Sequence, residues 1–375
     1  MDVKQLASII NPIQEEILGK KDLSTEDLSN IVDIGAEIQN LGQIDNYVKK
    51  LSDRIGKVIF VNRKYSGSAP SVLMDAWEYG SVLEKIHAEL PEAIENNTWK
   101  LQNGQTYDQN VFNAPKIEAK FYNSKVTFET DLSITERQVK ESFNSVSELN
   151  GFVSMLQTAV SNSMTVKIDA LIMRTINNMI AKTFETINSN RCVNLLSLYN
   201  ARYGQTLTKD KAISDPAFIR FATFTINTYK DRMNRISVLF NVGGKERFTQ
   251  GDDLKIVLLS DFYAASKVFV QADTYHNEYT SLPNADTVPY WQGSGQNYAF
   301  DSISKIDVQL SSKKSIKQDG ILGIMFDRNS LGVCNSDRRT TTNYNAKAEF
   351  YNNFFKFDCS YFNDLNENFV VFYAG

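Results

Sequence analysis

The stretch ILGIMFDRNSLGV, residues 321–333, decides how this sequence is read. Residues 321–326 are apolar apart from Gly323, Asp327-Arg328-Asn329-Ser330 are turn formers, and Leu331-Gly332-Val333 is apolar again. An Asp–Arg pair between two apolar pieces is either a catalytic pair presented on a loop or the tip of a hairpin. Asp and Asn favour turns because their side chains bond nearby backbone, and the apolar flanks call for a reversal. The stretch therefore reads as a hairpin, and chemistry has to be sought elsewhere in the chain.

Working outward, the tail after it is strand-like. Phe355, Phe357, Cys359 and Tyr361 alternate with Lys356, Asp358 and Ser360, and Phe369-Val370-Val371-Phe372-Tyr373 reads as a buried closing strand. Upstream, Asp215-Pro216 opens a helix continued by Phe218, Ile219, Ala222, Ile226, Tyr229 and Met233. ISVLFNV (236–242), a Gly-Gly-Lys turn and LKIVLLS (254–260) read as two strands joined by a loop, with a short helix from Asp261. Residues 273–298, with Pro283, Pro289 and Gly293-Ser294-Gly295, read as loop.

The longest helical pattern covers 146–185, where apolar residues from Val146 through Leu156, Ile168, Ile176 and Phe184 recur at steps of three and four. Forty residues make a rod of roughly 60 Å. Its heptad regularity is poor, so it is expected to lie along a sheet rather than in a coiled coil. The first 55 residues also look helical: Ser24-Thr25-Glu26-Asp27 resembles a capping box. Leu28, Ile31, Ile34, Ile38, Leu41, Ile44, Val48, Leu51 and Ile55 form one stripe, weakened locally at Gly35 and Gly42.

Residues 56–135 differ in character. VIFVN (58–62) is strand-like, and 66–115 is polar, aromatic and without a period of its own. Ile117, Ala119 and Phe121 then alternate with charged residues. After Asn123-Ser124 the phase flips, so that Val126, Phe128 and Leu132 carry the alternation. A flip of this kind marks a bulge or sharp bend. The segment reads as two long antiparallel arms leaving the body and returning.

Composition narrows the function. With 375 residues, 42% hydrophobic and 22% charged, the chain is an ordinary folded protein, and a net charge of −4 argues against a dedicated nucleic-acid binder. Cys192, Cys334 and Cys359 have no metal or disulfide spacing. No signal-peptide pattern and no apolar run of membrane length are present. The only histidines, His87 and His276, lie in polar surroundings that suit surface or interface roles. Gly244-Lys245 lacks the rest of a phosphate loop, and Gly293-Ser294-Gly295 lacks the third glycine of a dinucleotide fingerprint. No catalytic, cofactor-binding or metal residues are assigned.

The order of parts, together with DRIGKVIFVN (53–62), KFYNSKVTFETDLS (120–133), the spine helix, ILGIMFDRNSLGV, FFKFDCSYF and NFVVF, resembles the major capsid proteins of tailed bacteriophages with the Hong Kong 97-type fold. Within them it is most similar to those of small short-tailed phages (podoviruses) of Gram-positive bacteria. The resemblance implies an α+β fold with a helical N-terminal arm (1–55), an extended two-stranded loop (56–135) over a neighbouring subunit and a spine helix of the peripheral domain (136–190). An axial domain (191–310) and strands closing the peripheral sheet (311–375) complete it. It implies a non-enzymatic head protein, assembled in the host cytoplasm into an icosahedral or prolate virion capsid around double-stranded DNA. Its partners would be further copies of itself, a portal protein and a separate scaffolding protein, since the first 50 residues look too short for an internal scaffold. DNA would lie in non-specific proximity; no cofactor and no membrane is implied.

The physics fits independently. Shell proteins need arms whose apolar residues find no home in the monomer, because burial between subunits supplies the assembly free energy. Trp77, Tyr79, Trp99, Tyr107, Phe112 and Phe121 are the expected subunit-interface residues. Two rivals remain: a cellular nanocompartment shell (encapsulin-type) of the same fold, and a soluble α+β enzyme with an unrecognised carboxylate site.

Overall fold

The computed structural model describes residues 3–19, 28–52, 69–74, 83–91, 93, 95, 99–106, 110, 112–271, 285–293, 297–312 and 314–375. Three helices come first: α1 (Val3–Leu18), α2 (Ile31–Asn40) and α3 (44–52). The single stripe expected here is broken at Leu41, which is exposed, and at Gly42, whose φ of +64° turns the chain. The remaining described members of the stripe are buried in the protein's own core. Tyr47 packs on Phe143 at 5.0 Å, and the Ser52 hydroxyl donates to Asn353 Oδ1 at 2.7 Å. Ser24–Asp27 and Ile55 lie outside the described residues.

After α4 (Glu136–Ser142), whose Thr135/Gln138 capping box fixes its start, α5 runs as one helix over Val146–Glu185. Ser145 caps it by accepting from the Glu148 N–H. Burial begins as a stripe, Leu149, Val153, Leu156, Val160 and Met164, and widens beyond Leu171 to most of the circumference. The reason is what covers it: strands lie along the first half, and a hairpin and a second sheet close over the end.

The strands are β1 (Leu73–Met74), β2 (Leu83–Ala88), β3 (Ile117–Tyr122), β4 (Lys125–Thr135), β5 (Cys192–Asn194), β6 (Leu254–Leu259), β7 (Asp286–Val288), β8 (Ile306–Ser311), β9 (Lys314–Gln318), β10 (Ile321–Asp327), β11 (Leu331–Asn345), β12 (Phe350–Asn363) and β13 (Phe369–Tyr373). They form a four-stranded sheet in the order β1-β11-β12-β4 and a five-stranded sheet in the order β5-β13-β10-β6-β7. β8–β9 and β2–β3 are two-stranded ribbons. The remaining helices are α6 (Leu195–Tyr203), α7 (Lys209–Ala212), α8 (Pro216–Met233, capped by Asp215), α9 (Ser260–Gln271) and α10 (Phe300–Ile303).

The hairpin expected at 321–333 is not one. β10 pairs with β13 on one edge and β6 on the other, so β11 has no edge of β10 to join. β11 instead begins the other sheet, paired with β12. All seven residues of β10 are buried, as a central strand covered on both faces requires. Asp327-Arg328-Asn329-Ser330 is therefore the corner between two sheets. Its local chemistry is that of a turn: Asp327 Oδ1 accepts from the Asn329 N–H, and the Ser330 N–H donates to the Asp327 carbonyl, each at 2.8 Å.

The strand expected at 236–242 is also absent. A single bridge, Ser237 to Arg247, is all the pairing it makes among the described residues. Both edges of β6 are taken by β10 and β7, which leaves Ile236, Val238 and Leu239 exposed in a loop. The phase flip at Asn123-Ser124 is not a bulge within one strand but a change of sheet: β3 pairs with β2, and β4 with β12.

A candidate assembly interface on an ionic seat

The β2–β3 ribbon is antiparallel, with Glu84 opposite Phe121, Ile86 opposite Ala119 and Ala88 opposite Ile117. These six face solvent. Ile86, Ile117 and Phe121 are 64%, 63% and 63% exposed. The alternate residues, Lys85, His87, Glu118, Lys120 and Tyr122, face the body of the protein. Apart from outward Glu84 and inward Leu83, the ribbon thus turns its charges inward and its aliphatic residues and Phe121 outward, the reverse of an ordinary half-buried sheet.

Beneath it lies the loop 364–368 between β12 and β13. Asp364 is fully buried and Glu367 nearly so. Lys85 Nζ stands 3.4 Å and Lys120 Nζ 3.3 Å from Asp364, and Lys85 also donates to the Asn329 carbonyl in the corner after β10. His87 Nε2 is 2.8 Å from Glu367 Oε1, and Arg247 Nε is 3.5 Å from Glu367 Oε2. Further out, Lys245 bridges Glu118 at 3.0 Å and Glu89 at 3.1 Å. At the base, Tyr122 packs on Phe362 at 5.3 Å, and the Lys85 ammonium lies 4.7 Å from the Phe362 ring centre.

Burial and neighbouring charge act against each other at Asp364 and Lys85. Burial alone would raise the Asp364 carboxyl, but the Asn366 N–H, Lys85, Lys120 and the Tyr122 hydroxyl together bring it below the ordinary carboxylate value. Burial lowers Lys85, opposed by the carboxylates of Asp364 and Glu367. Burial, and then Asp364, push the Tyr122 phenol up, so it stays a donor.

His87, Asp364 and Glu367 bring donor atoms within 4.8 Å of one another, as a metal site would. Lys85, Lys120 and Arg247 already stand at the two carboxylates, and their positive charge opposes an added cation. The cluster is an ion-pair network. Elsewhere, a depression of about 240 Å³ is lined by Tyr199, Gln205, Thr206, Leu207, Thr208, Lys211 and Asp215. Its one carboxylate, Asp215, is engaged as the cap of α8.

Of the residues expected at an interface, Trp99 and Phe112 are 73% and 87% exposed, and Phe121 lies on the outward face of the ribbon. Trp77, Tyr79, Tyr107 and His276 lie outside the described residues. Sequence reasoning missed Ile86 and Ile117 as exposed apolar residues, and Asp364 and Glu367 as the seat. The available signal was the alternation of apolar and charged residues at 117–121 and of Lys85, Ile86, His87 and Ala88, with two acids in the loop NDLNEN.

Solved structures similar to this chain come from phage particles. One, from the capsid of Staphylococcus phage Andhra, is similar with a TM-score of 0.52 at 11% identity, over 84% of this chain and 86% of that one. A chain from the structure of the head fiber and inner core protein of bacteriophage P68 is similar at 0.49 and 8% identity, over 84% and 86%. A chain from the capsid of Cyanophage P-SCSP1u is similar at 0.44 and 10% identity, over 84% and 92%. The fold is an α+β phage-capsid fold, as the Hong Kong 97-type resemblance implies.

The family model of the Phi29-like phage major capsid protein matches residues 10–373. The chain belongs to that family: it is a major capsid protein, a structural component of a bacteriophage virion. No curated protein matches the sequence.

Proposed function

We propose that this protein builds a closed icosahedral or prolate shell from ring-shaped capsomers, around packaged double-stranded DNA, and that the β2–β3 ribbon is the arm each subunit lays on a neighbour. The observation that carries this reading is the inverted ribbon. Exposing Ile86, Ile117 and Phe121 while turning lysines inward gains nothing for an isolated subunit, but a second copy can cover that face. Contacts of this heterologous kind close into rings about a symmetry axis. Trp99 and Phe112, exposed and between the two ribbon strands in sequence, add apolar surface to the same segment, to which Trp77, Tyr79 and Tyr107 also belong.

Under this reading, 1–55 is the N-terminal arm, 56–135 the extended loop, 136–190 the spine region, 191–310 the axial domain and 311–375 the returning strands. The partners are further copies, a separate scaffolding protein and a portal. Assembly takes place in the host cytoplasm, and the protein performs no catalysis. The nanocompartment and enzyme readings have no observation of their own in their favour.

Negative-stain electron microscopy with size-exclusion chromatography tests the proposal. Shells, tubes or ring-shaped capsomers are expected from the protein alone or with its scaffold. A monomer that stays inert when scaffold is supplied overturns it.

A further inference from the structure

The body holds the ribbon in two different ways. Near its base the contact is partly apolar and partly backbone: Tyr122 lies on Phe362, and the Tyr361 N–H donates to the Ser124 carbonyl at 3.1 Å. Beyond that point the described contacts are mainly ionic, Lys85 and Lys120 on Asp364, His87 on Glu367, and Lys245 on Glu118 and Glu89, with Lys85 also donating to the Asn329 carbonyl. Asn123-Ser124, between the end of β3 and the start of β4, is the one described link that follows the ribbon in sequence.

An apolar seat loses its free energy as soon as the faces part, because both are returned to water. An ionic seat behaves differently. Taking the lysines and the buried Asp364 carboxylate out of water costs about as much as their attraction returns, so the closed pairs gain little over the separated, hydrated charges. Asp364 keeps one partner on the body side when the lysines leave: its carboxylate accepts from the Asn366 N–H at 3.1 Å. The seat is therefore built to hold an orientation rather than to bind tightly.

We infer that the β2–β3 ribbon is an arm hinged at residues 122–124 whose pose is locked by the charges of Asp364, Glu367 and Lys245, and that removing those charges frees the arm while leaving the body folded. The pose fixes where the outward face of Ile86, Ile117 and Phe121 meets a neighbour; this consequence alone rests on the proposed function. The lock itself is a property of the single subunit.

The test is a distance distribution measured by double electron–electron resonance on dissociated full-length subunits. Spin labels are placed at Ala88→Cys on the ribbon and Gln250→Cys on the body, both exposed. The native cysteines are buried. The parent should give one narrow distribution. The pair Asp364→Asn with Glu367→Gln should broaden it and move it outward, while amide exchange in β10 and β13 stays at the parent's rate. Because the buried carboxylates also sit near the core, a second pair, Lys120→Met with Lys245→Met, removes charge from the more exposed side and should broaden the distribution in the same direction. A distribution that stays narrow in both variants overturns the lock. So does broadening that comes only with accelerated exchange in β10 and β13, because the seat is then part of the core. Shell formation is scored separately: a working lock in a protein that never assembles refutes the capsid-arm reading and leaves the lock standing.

Discussion

Replacing Phe121 with aspartate separates assembly from folding. Phe121 leaves 63% of its surface in water and its neighbours across the ribbon are Glu84 and, diagonally, Ile86. A buried aromatic side chain covers ~150–250 Å², so on the order of 100–150 Å² remains for a neighbour to cover. At about 25 cal/mol per Å², that contact contributes roughly 3 kcal/mol per subunit. Phe121→Asp removes it, and places a carboxylate where a neighbour would have to desolvate it.

Each 1.4 kcal/mol is about tenfold in association. The concentration at which closed particles appear should therefore rise by about a hundredfold or more. The isolated subunit should barely notice, because an exposed substitution of this kind changes unfolding free energy by about 0.5 kcal/mol or less. Sedimentation or light scattering across a concentration series, beside denaturant unfolding of the dissociated subunit, reads both quantities. Particles forming at the parent's concentration would refute the reasoning. So would a loss of subunit stability comparable to the loss of assembly, since Phe121 would then be holding the body together.

Four further outcomes follow from particular contacts. Gly320→Ala should cost the subunit several kcal/mol in denaturant unfolding: φ is +69°, and a Cβ there would lie 2.0 Å from the Ala374 carbonyl oxygen. Arg191→Met should cost about 2–4 kcal/mol, because buried Arg191 donates to the Asn241 carbonyl and to the Thr186 carbonyl at the end of α5, each at 3.0 Å. The three cysteines should be unreactive to Ellman's reagent until the chain unfolds; all are buried, and burial pushes the Cys359 thiol up to about 12. Acid should weaken the Asp364 interactions: its carboxyl is lowered in the fold, so its stabilisation is complete above the ordinary value near ~4 and is lost as pH falls through the lowered one. The ribbon-to-body distance distribution should broaden from neutral to acid pH in the parent and change less with pH in Asp364→Asn, and a parent distribution that keeps its width down to acid pH would contradict the assignment.

What could be read from the sequence was what is decided locally. The periodicity of 146–185 specifies a helix whatever packs on it, and Asp215-Pro216 starts one by its own hydrogen bonding. The alternation at 355–361 and the run 369–373 give strands for the same reason. What could not be read was the choice of partner. Asp327–Ser330 makes the turn its composition demands, yet whether a turn closes a hairpin depends on which strands already occupy the edges of β10, and β6 and β13 come from 62 or more and 42 or more residues away in sequence, as their ranges show. ISVLFNV has the composition of a strand, but both edges of the strand beside it are taken, so its propensity is overridden.

The ribbon adds a different kind of limit. Alternation at 117–122 defines two faces, and the usual rule assigns the apolar one to the protein's own core. Shifting a strand by one residue exchanges its faces, so a ribbon with Ile86, Ile117 and Phe121 inward was available to this backbone. Such a ribbon would need an apolar seat. The body offers Asp364, fully buried, and Glu367 instead, and those carboxylates accept lysines and a histidine and reject leucine or phenylalanine. The loop 364–368 therefore decides which face of a segment more than 240 residues earlier in the chain points to solvent. For a lone subunit that choice leaves apolar surface in water. Under the proposed function, the same choice places the apolar face where only another subunit can cover it, and residues that give the monomer no stability would supply free energy of assembly.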